Sequence, residues 1–491
     1  MHGFWKRSTG SLVRTGGLKM INFDLTREQR AELFEMLIPV LEDYYSNTAK
    51  LRVTPPLDLS EIQQFIRKAD FNHPADVKEA VRIVTEALRK YIVHTPHPRY
   101  YGLFNPRPNF PSVIADLITA TYNPQLAAWS HSPYASEVEN YLISEFGQKA
   151  GFPAGETDGV FATGGAEANI TAVLCALNNA FPGFANDGLF ALKGRPVIYC
   201  SSEAHHSIVR AARTSGLGRN SVRIIDANER GAIRTDILEE TILSDLSEGF
   251  LPFIIIGTAG TTGTGSIDDL HTLALVAKRY SLWYHIDAAW GGAAVLNPGT
   301  RQWVSGIEKA DSLTFDVHKW LAVPMGASMF ITRHREILKK TFRITTDYMP
   351  KDAEKLEITD AYTHSIQWSR RFIGLKLYLS MMVFGWQGYS EVIGHQVEMG
   401  NLLRTFLKEN GWVVLNHTPL PLVCFTAEDH RSDPSFTKRI CERVIRSGEA
   451  WVSLYPVNGI STIRACITNY NTSPDDVHAL VELVNRARSE L

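Results

Sequence analysis

Three short stretches of the chain combine residue types that can do covalent and electrostatic chemistry. The first is Ala162-Thr163-Gly164-Gly165-Ala166-Glu167-Ala168-Asn169-Ile170, where a strand-like run at 159–162 enters a Gly-Gly turn and then a helix-favouring segment. Small residues at such a turn let backbone N–H groups and a helix N-terminus approach a phosphate. The turn lacks the Lys-Ser/Thr of a P-loop and is not G-x-G-x-x-G, so it does not favour nucleoside triphosphates or dinucleotides. By itself it also fits a plain tight turn. The second stretch is His285-Ile286-Asp287-Ala288-Ala289-Trp290-Gly291-Gly292, in which Asp287 closes a strand-like run before small residues. It can meet a ligand cation there, or simply cap a helix. In the third, Asp311-Ser312-Leu313-Thr314-Phe315-Asp316-Val317-His318-Lys319-Trp320, a lysine follows a strand among apolar neighbours. An amine partly withdrawn from water has a lowered pKa and can attack an aldehyde, although most lysines are solvated surface charges. The succession is what carries weight: phosphate turn, carboxylate, amine, each at a strand end.

Those strand ends imply a scaffold. Between residues 158 and 333, β-rich runs at 197–200, 222–225, 253–257, 283–287, 312–315 and 328–332 alternate with segments of helical period. Runs read as apolar throughout, alternating with helices, predict an α/β fold with a mostly parallel central sheet covered on both faces. Ligands of such sheets bind at the carboxyl ends of the strands. Upstream, Thr26 and Gln29 form a capping-box pattern ahead of Leu33, Phe34, Leu37, Ile38, Leu41, Tyr44 and Tyr45 at helical spacing, with Pro39 expected to kink that helix. The proline-rich residues 95–111 read as irregular. Beyond about residue 390, strands at 412–415, 421–425 and 461–467 and a helix at 473–489 suggest a small α+β domain. The expected division is a mobile leader at 1–19, an N-terminal helical segment at 20–95, a large ligand-binding domain at 96–388 and a small C-terminal domain at 389–491.

Composition narrows the partner. The 491 residues carry 50 Lys plus Arg against 52 Asp plus Glu, a net charge of -2, so no global field attracts nucleic acid or an anionic membrane. A small-molecule partner is expected. With 44% hydrophobic and 21% charged residues the chain is ordinary globular material, neither disordered nor fibrous. Cys175, Cys200, Cys424, Cys441 and Cys466 form no C-x-x-C pair, which fits a reducing cytoplasm, and no metal site is expected. Apolar runs fall short of the roughly 20 residues that span a bilayer. Residues 1–19 carry Lys6, Arg7, Arg14 and Lys19 without the apolar core of a secretory signal.

A phosphate cradle, an anion and an amine are what pyridoxal 5'-phosphate asks of a protein. With these residues in this order, the chain resembles the group II pyridoxal-phosphate-dependent amino-acid decarboxylases, the family of aromatic-L-amino-acid, glutamate, histidine and tyrosine decarboxylases. Residues 312–333 resemble the attachment-site signature throughout, and similarity runs from about Thr26 to Gly388. The resemblance implies fold type I of such enzymes, with the cofactor joined to Lys319 and its pyridine nitrogen facing Asp287. It further implies that Gly165 and Ala166 hold the phosphate through backbone N–H groups with help from His318. In Glu203-Ala204-His205-His206-Ser207, His205 would stack on the ring and touch the substrate carboxylate, and Thr262 would contact the cofactor. The run Phe342-Arg343-Ile344-Thr345-Thr346-Asp347-Tyr348 resembles the start of the family's mobile loop, whose tyrosine returns a proton after carbon dioxide leaves. Gln367-Trp368-Ser369-Arg370-Arg371-Phe372 resembles the stretch through which a second subunit reaches the phosphate, with Ser369 as the contact, which implies a homodimer with shared active sites.

Two departures bear on substrate. Asp316-Val317 stands where many members have Asn-Pro, which leaves Asp316 as a candidate cofactor contact of altered charge. Phe104, Asn105 and Pro106 occupy substrate-contacting positions, with Pro106 where the aromatic branch has Thr, and Gln125 and Ala127 replace larger apolar residues. A wider or more polar pocket is expected. Leu103, Phe104, Gln125 and Trp129 suit an aromatic ring, whereas Asn105, Arg107 and His131 suit a polar or acidic one. The implied activity is α-decarboxylation of an L-amino acid, expected to be aromatic, to the amine and carbon dioxide. The alternatives are an acidic or other polar substrate, or a decarboxylating aldehyde synthase, against which the presence of Tyr348 speaks. A lyase acting on a β-substituent and a non-catalytic scaffold are disfavoured by Tyr348 and by Lys319 with Asp287.

Overall fold

In a computed structural model, which describes residues 23–344 and 358–491, the runs singled out above become strands. Seven of them, β1 (Asp158–Ala162), β2 (Pro196–Ser201), β3 (Val222–Ile225), β4 (Leu251–Thr258), β5 (Trp283–Asp287), β6 (Ser312–Phe315) and β7 (Ser328–Thr332), form one sheet in the order β1-β7-β6-β5-β4-β2-β3. Strands β3, β2, β4, β5 and β6 are mutually parallel; β7 is antiparallel to both β6 and β1. Two reversals restore direction, so β1 runs the same way as β6 and presents its carboxyl end at the same edge of the sheet.

Helices cover both faces because successive strand residues point to opposite sides. In β4, Ile254 and Ile256 join Ala172 and Ile198 in one apolar cluster, while Ile255 joins Leu273 in the other. The expectation that every run is apolar fails at the centre of the sheet. Strand β5 reads Trp-Tyr-His-Ile-Asp and β6 reads Ser-Leu-Thr-Phe, buried throughout. Tyr284, Ile286, Leu313 and Phe315 face the apolar cluster, so His285, Asp287, Ser312 and Thr314 share the other face.

A second, antiparallel sheet has the order β10-β11-β9-β8, from β8 (Trp412–Val414), β9 (Leu422–Ala427), β10 (Ser453–Val457) and β11 (Ile460–Cys466). Strand β10 went unread in the sequence because it is an edge strand of mixed exposure containing Pro456. The Thr26–Gln29 capping box forms as expected, and the helix Arg27–Asn47 contains Pro39. The helical segment Leu375–Glu409, broken by a kink at Gly385 (φ 59°), runs across position 388 and packs against the helices Phe110–Tyr122 and Pro133–Ala150 as well as β8 and β9, tying the two sheets together. All five cysteines are buried and free, and among the described residues no helix is long and apolar enough to cross a membrane.

Asp158, at the entry to β1, shows how burial is felt as pH dependence. Its Oδ2 makes no hydrogen bond, with His364 Nε2 3.8 Å away, and burial pushes its pKa up to about 7. The unfolded chain has the ordinary aspartate value of about 3.9. Between those values the folded state binds more protons than the unfolded one, so this group makes stability fall as pH rises. Asp158→Asn is therefore expected to gain stability relative to the wild type as pH goes from about 5 to about 8, by on the order of 1–3 kcal/mol in urea unfolding. An unchanged difference across that range would refute the assignment.

Candidate active site

The carboxyl ends of β1, β2, β4, β5 and β6 bring the sequence candidates to one edge. Asp287 ends β5 and is 7% exposed. Its Oδ2 accepts a hydrogen bond from Asn169 Nδ2 at 2.8 Å, and Oδ1 accepts one from the Ala289 N–H at 3.2 Å. Lys319 lies in the turn after β6, with Nζ 2.9 Å from Asp316 Oδ2 and 5.5 Å from the centre of the Phe104 ring. Asp316 itself is buried, and its Oδ1 has no partner.

The phosphate turn becomes the start of the helix Gly165–Ala180, whose N-cap, Gly164, supplies no side-chain cap. Its leading N–H groups are left to a ligand. Glu167 fastens the turn by accepting from the N–H and the hydroxyl of Thr163 at 2.9 and 2.6 Å, and Gln367 Nε2 donates to its other oxygen at 2.6 Å. A Cβ on Gly165 would stand 2.9 Å from Asp316 Oδ2, so the missing side chain is what lets turn and carboxylate meet. His318 borders the same turn, with Nδ1 2.6 Å from the Ala327 carbonyl. Burial lowers its pKa, against the opposing charge of Asp316.

His205 follows β2, and its Nδ1 lies 2.8 Å from Ser207 Oγ. His205 is exposed, yet desolvation lowers its pKa; Asp287 pulls it back up and Lys319 pushes it down. One imidazole thus senses both groups that the sequence placed on separate strands. Thr262, half-buried in the loop after β4, offers its carbonyl to Arg464 Nε at 2.9 Å. Phe104 is 4% exposed, with a φ of 63°, and lies against Trp290 at 4.6 Å between ring centres.

Other substrate candidates divide. Asn105 Nδ2 lies 3.1 Å from Met325 Sδ, and Pro106 is buried. Arg107 is not free for an acidic ligand: it stacks on Tyr45, 3.7 Å from the ring centre, and donates to the Tyr45 carbonyl. Trp129 is tied to Glu137 and Asp360, and Gln125 is exposed, with its oxygen accepting from the Ala127 N–H. Leu103 and His131 are exposed. Ser369 is exposed next to Arg370, which is buried in an ion pair with Glu139 at 2.7 Å. Tyr348 lies outside the described residues.

Arg464 belongs to no motif in the sequence and joins the site only in the fold. It sits on β11, 2% exposed, donates through Nε to the Thr262 and Gly263 carbonyls, and keeps Nη2 without a partner. Its guanidinium lies 5.0 Å from the centre of the Phe104 ring, which also neighbours Lys319. The local signal is an arginine inside the apolar run Ile463-Arg464-Ala465-Cys466-Ile467.

An uncapped helix N-terminus, a carboxylate, an amine and an open imidazole within reach of one another's charge suit a single ligand with a phosphate, a protonatable ring nitrogen and an aldehyde. The residues fit pyridoxal phosphate. Residues 62–428 match the pyridoxal-dependent decarboxylase conserved domain, and the chain belongs to that family. Within it the chain is a carboxy-lyase that uses pyridoxal phosphate on amino acids. It is 27% identical over 482 residues to the aromatic-L-amino-acid decarboxylase of Bacillus atrophaeus, covering 96% of this chain and 98% of that one. It is also 27% identical over 460 residues to the histidine decarboxylase of Drosophila melanogaster, covering 90% of this chain and 53% of that one. A crystal structure of Oryza sativa TDC with PLP and tryptamine shares the fold, with a TM-score of 0.90 at 23% identity over 96% of this chain and 99% of that one. Similarity therefore extends well past Gly388, where motifs thin out but the fold persists. A shorter match to the bromodomain covers residues 18–103. The three α-helices there bury no residue fully, so within one chain they enclose no bundle core.

Gly165→Ala tests the cradle. The added methyl must displace the Asp316 carboxylate, and pyridoxal phosphate affinity, measured by equilibrium dialysis, is expected to fall about tenfold or more. Wild-type affinity in the variant would show that the phosphate binds elsewhere.

Proposed function

We propose that the chain removes the α-carboxylate of an L-amino acid, with an aromatic side chain preferred, and that it works as a homodimer. One observation carries the reading: Lys319 and Arg464 approach the same buried ring, Phe104, at 5.5 and 5.0 Å. An amine that can hold an aldehyde and a guanidinium with a spare N–H would thus flank one small space. Pyridoxal phosphate, when bound, supplies the aldehyde and a cationic heterocycle that takes up the electron pair left by carbon dioxide.

In this reading Lys319 is the amine that would hold the cofactor's aldehyde. Asp287 keeps the ring nitrogen protonated, and the N–H groups of Gly165 and Ala166 hold the phosphate beside His318, with Thr262 along the cofactor. Asp316, paired with Lys319, orients the amine rather than binding phosphate, since two anions there would repel. His205 would stack on the ring. Arg464 pairs with the substrate carboxylate and fixes the bond to be broken, so that geometry selects the reaction. Tyr348 is assigned the returning proton. The Phe104–Trp290 pair supports an aromatic substrate, as does the resemblance to an aromatic-L-amino-acid decarboxylase.

The outer surface supports a homodimer. Phe110, Leu117 and Tyr122 on one helix and Met382, Val383 and Phe384 on the helix packed beside it are exposed together. Exposed apolar side chains on neighbouring helices are what a subunit interface would cover. Ser369, exposed in the single chain, would serve the phosphate of the second copy.

Borohydride treatment of the protein with pyridoxal phosphate is expected to fix the cofactor to the peptide containing Lys319; a different peptide would sink the site. Among the standard L-amino acids, aromatic ones are expected to release carbon dioxide fastest with an equal yield of amine. Peroxide with aldehyde would indicate the synthase instead, and preference for glutamate or aspartate would indicate the acidic reading. Arg464→Met is expected to raise KM for that substrate about tenfold or more. Sedimentation is expected to give twice the chain mass, and a monomer at micromolar concentration would refute the dimer.

A further inference from the structure

Asn169 lies in the second turn of the helix Gly165–Ala180 and is 1% exposed. Its side chain makes four hydrogen bonds, the full capacity of an amide. Nδ2 lies 2.8 Å from Asp287 Oδ2 and 2.8 Å from Ser207 Oγ, while Oδ1 lies 2.7 Å from Thr314 Oγ1 and 3.0 Å from His285 Nε2. Behind it, Trp283 Nε1 lies 2.9 Å from Ser312 Oγ, which lies 2.8 Å from His285 Nδ1.

The ends of this chain set its direction. An indole N–H can only donate and a carboxylate can only accept. Trp283 therefore donates to Ser312, Ser312 to His285, His285 to Asn169, and Asn169 to Asp287. His285 is completely buried, and burial pushes its pKa down to about 3, so it is neutral and carries the one N–H this order needs. The same logic runs along a branch. The second N–H of Asn169 goes to Ser207 Oγ, whose own hydrogen is left for His205 Nδ1 at 2.8 Å; the Ser207 N–H points to that nitrogen too, at 3.2 Å. A neutral His205 then carries its hydrogen on Nε2. The arrangement follows from strand geometry. Trp283, His285 and Asp287 are every second residue of β5, Ser312 and Thr314 are paired with His285 and Asp287 across the ladder, and the helix bearing Asn169 packs on β5 and β6.

The geometry points to Asn169 as a positioning residue that serves two groups at once. One N–H fixes the Asp287 carboxylate that would meet the cofactor's ring nitrogen. The other, through Ser207, holds His205 in the Nε2–H tautomer on the side that would face the cofactor. This rests on the pyridoxal phosphate reading of the site. A leucine here would leave a buried carboxylate without its donor, and an aspartate would place a second negative charge against it.

The test needs no substrate. Apoprotein of the wild type, Asn169→Leu, Asn169→Asp and Ser207→Ala is titrated with pyridoxal phosphate by equilibrium dialysis. The nitrogen resonance of cofactor labelled with the heavy nitrogen isotope then reports protonation of the ring. Asn169→Leu is expected to weaken binding on the order of tenfold and to move the ring resonance toward the unprotonated position; in an Asp287→Ala background the same change should have less than about a twofold effect. Asn169→Asp keeps the side-chain volume and the oxygen facing His285, and is expected to act in the same direction if the leucine variant folds poorly. Ser207→Ala is expected to leave the ring resonance in place and shift the imidazole nitrogens of His205. Equal losses in both Asp287 backgrounds, the mark of a merely structural role, would overturn the inference, as would variants at position 169 with wild-type affinity and resonance. Wild-type protein that takes up no pyridoxal phosphate would instead sink the underlying reading and this inference with it.

Discussion

Asp287 ends its strand with 7% of its surface exposed. Withdrawing a carboxylate from water costs several kcal/mol unless donors stand in for that water. The polar face of the central sheet answers this need. His285, Ser312 and Thr314 are buried at 0% exposure; His285 and Thr314 meet the amide of Asn169 beside the carboxylate, and Ser312 backs His285. The opposite face of the same two strands, Tyr284, Ile286, Leu313 and Phe315, belongs to an apolar cluster. One pair of strands is thus core on one side and a polar support on the other.

Sheet direction does the rest of the positioning. Because β7 reverses and β1 reverses again, the turn at Gly164 and Gly165 opens at the same edge as Asp287 and the turn holding Lys319, though β1 is three places from β5 in the sheet. In the proposed reading the helix start would take the phosphate and the strand end the ring nitrogen, the two extremes of one rigid molecule. Fixing both orients everything between them.

The second sheet closes the site from the other side. Arg464 of β11 reaches the loop after β4, and Tyr455 of β10 packs where a side chain on Gly263 would otherwise stand, then donates to Glu203 Oε2 at 2.8 Å. Glu203 is two residues from His205. The region with the weakest sequence signature therefore contacts two of the loops that carry the site, and it supplies a buried guanidinium with an unpaired N–H.

Much of this was legible without coordinates, because some of it is local. Four of the six strands read between residues 197 and 332 have the same bounds in the structure, at 222–225, 283–287, 312–315 and 328–332, since short β-branched and aromatic runs between turn residues encode strands locally. The strand-end order of Gly165, Asp287 and Lys319 is equally a property of the chain. What only tertiary structure decided is which side chains face each other across long separations. Asn169 meets Asp287 at a separation of 118 residues, and Arg464 meets Thr262 at 202. Arg107, a candidate for an acidic ligand, is instead taken up by Tyr45. Such pairings depend on strand register and helix packing, which a local pattern does not carry. The alternating polar residues of β5 and β6 were visible as letters, but only the sheet showed that they line one buried face.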